Sequence, residues 1–195
     1  MVESTGLRKR RLELRRKAVW EAAAIEFSRV GYEVATLEDI GRRLGLSKAG
    51  LYYYVEGKES LLIELADDAV AQIETAVEAV TADTTAGHRL RHFVSAHMSV
   101  ALNTAMGQVL AANLDRLFSM PEARPVWERY EQSLRDILVA GIDTGEFREI
   151  DPVITSRMLL AAMNSTARWF DPEGAMPADD LVEQTVHTLL HGIHP

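Results

Sequence analysis

The stretch from Thr36 to Leu62, TLEDIGRRLGLSKAGLYYYVEGKESLL, decides how this chain is read. It predicts two short helices joined by a glycine-containing turn, followed by the start of a longer helix. Thr36 is a good N-cap: its hydroxyl accepts from the backbone N–H of Glu38 or Asp39, and both acids then sit at the positive end of the helix dipole. Leu37, Ile40 and Leu44 recur at i, i+3 and i+7, the apolar stripe of a short amphipathic helix. Gly45 supplies the backbone freedom that ends it, and Leu46 plugs the contact between the two helices. Ser47 caps the second helix, in which Leu51 faces inward while Lys48, Ala49, Gly50, Tyr52 and Tyr53 face out. A purely structural helix has no use for such an outer face. A helix entering a DNA major groove does: lysine and hydroxyl groups reach phosphates, small residues permit close approach, and aromatic edges touch base or sugar.

These residues resemble the DNA-binding domain of the TetR family of bacterial transcription regulators. The likeness rests on Phe27 with Gly31-Tyr32, Thr36-Leu37-Glu38-Asp39-Ile40, Gly45-Leu46-Ser47-Lys48, Leu51-Tyr52-Tyr53-Tyr54 and Lys58-Glu59-Ser60-Leu61-Leu62, in family order and spacing over about fifty residues. Two positions depart from the pattern. Val55 stands where phenylalanine is usual, and Gly41 where alanine is usual, at a cost to the helix of roughly 0.8–1 kcal/mol. Neither touches the expected DNA face. The candidate DNA-binding residues are Thr36, Arg43, Ser47, Lys48, Ala49, Gly50, Tyr52, Tyr53 and Lys58. Lys58 read alone is an ordinary surface lysine; its place after the recognition helix, and the resemblance, put it on phosphate.

The formal net charge of −8 by itself argues against a nucleic-acid binder, but the distribution of charge points the other way. Residues 1–60 carry 12 Lys+Arg against 9 Asp+Glu, net +3, and residues 61–195 carry 9 against 20, net −11. All four lysines (Lys9, Lys17, Lys48, Lys58) lie in the first part. A basic module on an acidic body is the asymmetry expected when one end meets phosphate. We therefore divide the chain into a helix-turn-helix DNA-binding domain, residues 1–60, and a ligand-binding and dimerisation domain, residues 61–195. The chain has no cysteine, so thiol chemistry and thiolate metal sites are excluded. No apolar run approaches the roughly 20 residues needed to cross a bilayer, so no membrane role is expected. Met1 to Lys17 is charged where a signal peptide needs apolar residues, which predicts a cytoplasmic protein.

In chain order, residues 1–7 are expected to be disordered. The basic run Arg8-Lys9-Arg10-Arg11 to Arg15-Arg16-Lys17 reads either as a solvated helix start or as an arm over the phosphate backbone. Helix 1 is predicted from about Leu12 to Val30, with Ala18, Ala22, Ile25 and Phe27 on its apolar side and Gly31 ending it. A long helix from Lys58 to about Val80 follows the recognition helix, then a linker over residues 82–87. Further helices are predicted at about 86–104, 107–118, 122–144, 152–169 and 178–192, separated by Gly107, Met120-Pro121, Gly145, Asp151-Pro152 and Asp171-Pro172-Glu173-Gly174. No alternating pattern of useful length is present, and the architecture is all-α.

Met158, Leu159, Ala162 and Ser165 on one late helix, and Leu181, Val182, Thr185 and Leu189 on the last, read as intramolecular core or as close-packing helix faces. The TetR resemblance implies that this pair builds a four-helix bundle with a second copy, and one short recognition helix reads too few base pairs alone. A homodimer on operator DNA follows, with Met158, Leu159, Ala162, Ser165, Leu181, Thr185 and Leu189 as the expected interface. The middle helices combine apolar and aromatic residues with a few polar ones, as ligand sites do: Phe93, His97, Asn113, Leu114, Leu117, Phe118, Trp127, Tyr130, Asn164, Arg168 and Trp169. His97, Asn113, Asn164 and Arg168 are the candidate polar fixers; for any aromatic among the rest, core is the alternative. The segment Asn164 to Gly174, NSTARWFDPEG, is similar to that of TetR-family regulators of fatty-acid and sterol catabolism, which respond to acyl-CoA thioesters. That likeness implies a small hydrophobic effector of acyl-CoA type. Arg168 would then pair with a CoA phosphate or the thioester region, through bidentate charge-assisted bonds; the alternative is a salt bridge to a neighbouring acid. No cofactor is expected.

His88 and His92, and His187 and His191 with His194 nearby, have the i, i+4 spacing that can share a metal. Without a carboxylate or cysteine pattern beside them they read as surface or interface histidines, and no metal is assigned. The leading function is a ligand-responsive DNA-binding repressor, released from its operator by an effector that binds one of two arrangements better. A helical acyl-thioester enzyme lacks a GxSxG elbow, phosphate loop or HExxH motif. A helical adaptor without DNA binding is opposed by the joint presence of Ser47, Lys48, Tyr52, Tyr53 and Lys58.

Overall fold

The computed structural model describes residues 2–79 and 84–191. The expected end of the fourth helix at Val80, linker positions 82–83, Gly192 and His194 lie outside these residues, as do the side chains of Arg8 and Lys9. The described residues form helices and turns only. Two compact units are present, residues 1–66 and 67–195, and the division falls within one continuous helix.

The first unit contains α1 (Val2–Val30), α2 (Leu37–Arg43), α3 (Lys48–Tyr52) and the first turns of α4 (Lys58–Glu78). Helix α1 begins at Val2, so within the segment 1–7 expected to be disordered the residues from 2 onward are helical, and the start near Leu12 is corrected. The reason is local: residues 2–11 contain no proline and are rich in Arg, Lys, Leu and Glu, so a single Gly6 does not stop the helix. The buried stripe of α1 is Val19, Ala22, Ala23, Glu26 and Phe27, whereas Ile25, expected inside, is exposed. Gly31 ends the helix at φ +87°, its N–H donating to the Phe27 carbonyl at 2.9 Å. Phe27 then packs against Tyr32, ring centroids 5.1 Å apart.

The second unit is arranged about α5 (Ala86–Asn103), which packs against α6 (Ala105–Ala112), α8 (Arg124–Asp143), α9 (Pro152–Trp169) and α10 (Ala178–His191). Its inner face, Leu90, Phe93, Val94, His97, Met98 and Leu102, is buried. The single helix expected at 107–118 is two, α6 and α7 (Leu114–Ser119), broken at Asn113. Gly107, expected as a separator, lies inside α6. A Cβ there would fall 2.1 Å from the Val100 carbonyl oxygen and 2.6 Å from Ala101 Cα, so glycine is what lets α6 approach α5. Thr104 caps α6 instead, accepting from the Gly107 N–H at 2.9 Å.

The N-terminus of α5 is closed from a distant loop. Glu146 accepts from the backbone N–H groups of Ala86 (3.1 Å) and Gly87 (3.0 Å), which the first turn of a helix leaves unpaired. Phe147 beside it packs over Gly141, where any Cβ would enter the ring. The Gly87 N–H bond is the foremost cause holding the Glu146 carboxyl below its ordinary pKa of 4.5. A carboxylate with a depressed folded pKa contributes stability above its unfolded pKa and loses it as pH falls through the folded value. Glu146→Ala should therefore cost about 1 kcal/mol at pH 7, on the usual scale for a lost N-cap. The gap between mutant and wild-type melting curves should close as pH falls below 4.5.

Candidate nucleic-acid interface and effector cavity

Helix α3 has five residues, too few to persist unaided, so its orientation is set by what holds it. Ser47 caps it by accepting from the Gly50 N–H at 3.1 Å, which leaves the hydroxyl hydrogen of Ser47 to donate elsewhere. Leu51 is fully buried and Val55 nearly so, the smaller side chain at 55 leaving the packing closed. Gly41 on α2 permits the return of the chain: the Leu46 N–H donates to the Gly41 carbonyl at 2.9 Å, and a Cβ at 41 would lie only 3.0 Å from the Leu46 oxygen. Gly45 turns between them at φ +65°. With Leu51 pinned, helical geometry sends Tyr52 and Tyr53 outward, 47% and 70% exposed, beside exposed Lys48 and Ala49 and half-buried Gly50.

The polar side chains of this face are engaged within the unit. Thr36 caps α2, accepting from the Asp39 N–H at 3.2 Å, while its own hydrogen goes to Asp39 Oδ2 at 2.6 Å. Arg42 pairs with Asp39 (2.7 Å) and Lys48 with Glu38 (2.5 Å). Arg43 donates from Nε to Glu26 Oε2 at 2.6 Å, and Arg29 takes the other oxygen of that carboxylate. Glu26 is only 2% exposed; the hydrogen bonds from Arg29 and then Arg43 hold its carboxyl below the usual range against the opposing effect of burial.

Lys58, expected at phosphate, is engaged within the unit. Its Nζ donates to the carbonyl oxygens of Tyr32 (2.7 Å), Glu33 (3.1 Å) and Ala35 (3.3 Å) and lies 4.6 Å from the centre of the Tyr32 ring. An ammonium group has three donors, and all three close the loop between α1 and α2. Sequence spacing could not reveal this, because the carbonyls lie more than twenty residues away in the chain.

In the second unit, a half-open cavity of about 440 Å³ is lined by Ala101, Leu102, Ala111, Leu114, Phe170 and Pro172, with Gln108, Asp115 and Arg168 as polar groups. Of the expected ligand residues, Leu114 and Arg168 lie on it. Phe93, His97, Leu117 and Tyr130 are buried in the core; the inner face of α5 meets α8 at Phe93, His97 and Tyr130. Tyr130 stacks on Phe93 at 5.2 Å, and its hydroxyl meets His97 Nδ1 at 2.5 Å. Burial pushes His97 down to about 4, so it is neutral at pH 7, and its Nε2 is buried with no hydrogen-bond partner. Asn113 donates to the Val109 carbonyl at 2.8 Å, which ties it to its own helix. Trp127 packs against exposed Phe118 at 5.2 Å, with its indole N–H buried and unpartnered. Asn164 is half-buried, and Trp169 stands exposed. Periodicity did not single out Gln108 or Asp115; Phe170 lies within the segment 164–174 and on the cavity.

The residues of the expected interface on α9 and α10 differ in exposure. Leu159 and Leu181 are buried within the subunit, Ala162, Thr185 and Leu189 are half-buried, and Met158 and Ser165 are exposed. The outward stripe of α9 is Ile154, Met158, Ala161, Ser165 and Trp169, recurring every three or four residues. The two histidine pairs are on the surface, with His88 and His92 Nε2 atoms 3.2 Å apart and the His187 and His191 rings 3.9 Å apart. Among the described residues, no group of three or more metal-ligating side chains forms, and no helix is long and apolar enough to cross a membrane.

The Lys58 geometry makes a prediction that separates scaffold from reading surface. Lys58→Met should lower the melting temperature measurably, because it strands three carbonyls, whereas Tyr53→Ala should leave it within about a degree, as surface changes do.

Residues 19–65 match the model described as bacterial regulatory proteins, tetR family, and residues 83–193 match that of the tetracyclin repressor-like C-terminal domain. The HTH-type transcriptional repressor KstR2 of Mycobacterium tuberculosis is 26% identical over 186 residues, covering 92% of each chain. The structure of the TetR family regulator PfmR from Thermus thermophilus is 32% identical, covers 89% of this chain and 97% of its own, and superposes with a TM-score of 0.72. The regulator FadR from Bacillus subtilis, solved in complex with stearoyl-CoA, is 24% identical, covers 91% and 99%, and superposes at 0.77. The second of these matched regions alone spans more than half of the sequence, and the chain belongs to the TetR family of bacterial regulators.

Proposed function

We propose that this chain is a cytoplasmic, homodimeric transcriptional repressor that reads operator DNA with α3 and is released by a hydrophobic acyl thioester. The observation that carries the DNA reading is the outward pair of Tyr52, the last residue of α3, and Tyr53, its C-cap residue, beside the anchor Leu51 and the cap Ser47. Tyrosines of that exposure add little to the core, while their rings and hydroxyls suit base edges and sugar. Lys48, Ala49 and Gly50 complete the reading face, with Ser47, Thr36 and Arg43 along the backbone. One α3 spans few base pairs, so affinity requires two copies about 34–36 Å apart. The exposed apolar stripe of α9 is the surface on which a second copy would pack, since such patches mark association sites.

The cavity beside Leu114 is the candidate effector site. Its apolar wall accepts an acyl chain, and Arg168 stands exposed at it, suited to a phosphate of coenzyme A. The stearoyl-CoA complex of FadR supports this class of effector for a chain of the same architecture, and the repressor name of KstR2 supports the sign of regulation. An effector can move the operator equilibrium only by binding one arrangement better, so release requires an acyl-CoA that prefers the DNA-free form.

Gel shift on DNA flanking the gene tests the reading. Wild type should retard one fragment, Tyr53→Ala should weaken that shift at least about tenfold, as loss of a reading contact predicts, and long-chain or sterol acyl-CoA should release it where free acid and CoA do not. A fragment shifted equally by Tyr53→Ala, or acyl-CoA that leaves both the shift and the melting curve unmoved, counts against the respective half of the proposal. Separately, Met158→Asp should convert the dimer to monomer in sedimentation, because a charge would be buried without a partner.

A further inference from the structure

Each cation of α2 and α3 already has an anion within its own unit: Arg42 has Asp39, Arg43 has Glu26, and Lys48 has Glu38. The three acids are not equivalent. Glu26 is buried and shared between two arginines, so it belongs to the core. Asp39 closes the α2 cap with Thr36. Glu38 has neither duty. It projects from the first turn of α2, half-exposed, and reaches across to the exposed Lys48 Nζ on α3.

Resting on the DNA-binding reading above, we infer that Glu38 is a specificity-determining residue: it holds Lys48 against α2 and so withholds it from phosphates of non-operator DNA. Non-specific binding is almost wholly electrostatic, and its strength follows the number of phosphates a protein neutralises. A lysine with its own carboxylate contributes little to that sum, because a phosphate gains it only by displacing the acid and then faces the freed negative charge. On the operator, base contacts by Tyr52 and Tyr53 hold α3 while Lys48 keeps its acid; on random sequence the affinity rests on phosphates alone, and the acid removes one of them. The acid therefore weakens the wrong complex more than the right one, and specificity is that difference.

The test measures fluorescence anisotropy of the full-length chain on an operator duplex and a scrambled duplex across a salt series. Relative to wild type, Glu38→Gln should tighten the scrambled duplex about three- to tenfold and the operator less, with a steeper dependence on salt, approaching one additional released ion. Glu38→Ala should behave alike, and both variants should melt cooperatively within a few degrees of wild type, the small loss being that of an acid at the start of α2. In a Lys48→Met background the Glu38→Gln gain should largely vanish, since there is no lysine left to release. Unchanged affinity and salt slope in Glu38→Gln, or an undiminished gain when Lys48 is absent, overturns the inference. Wild type that binds neither duplex instead overturns the DNA-binding reading itself, so the two failures are distinct.

Discussion

The first unit depends on the burial of Leu51. A five-residue helix cannot offset the cost of its own nucleation, so α3 exists only because a tertiary anchor and a cap hold it. Leu51 supplies the anchor, Ser47 the cap, and Gly41 and Gly45 the backbone clearance that brings the chain back under α2. Removing a buried leucine generally costs about 2–5 kcal/mol, which here would release the whole outward face and not one side chain. The outward direction of Tyr52 and Tyr53 is then a geometric consequence of where Leu51 points.

Charge in this unit is arranged around the same anchor. The sequence shows a net positive module, yet the structure pairs the cations of α2 and α3 with acids and turns Lys58 onto backbone carbonyls. Lys58 thereby fixes the entry to α2, and Glu26 joins α1 to α2 through Arg43. Several charges that composition assigns to phosphate are first of all fasteners of the scaffold. What remains turned outward is a compact face of tyrosines, small residues and a serine hydroxyl, beside the Lys48–Glu38 pair.

The second unit follows a different logic. Its helices are long enough to be read from periodicity, and α5 is buried by four others. Close approach depends on particular glycines, Gly107 against α5 and Gly141 under Phe147. The polar pair His97 and Tyr130, expected in a ligand site, instead sits in the core, where burial keeps the imidazole neutral. The cavity opens elsewhere, between α5, α6, α7 and the end of α9, where small side chains leave space and Arg168 supplies charge.

From the sequence alone came the all-α class, the caps at Thr36 and Ser47, the helix boundary at Asp151-Pro152, the short helix after Gly45 and its outward tyrosines. All of these are local: a cap, a stripe and a glycine turn act within one or two helical turns, and the chain states them directly. The break at Asn113, the inward turn of Leu159 and Leu181, the core place of His97 and the carbonyl clasp of Lys58 were decided by tertiary structure. Each depends on which distant segment lies opposite, and periodicity fixes a face of a helix without saying what that face will meet.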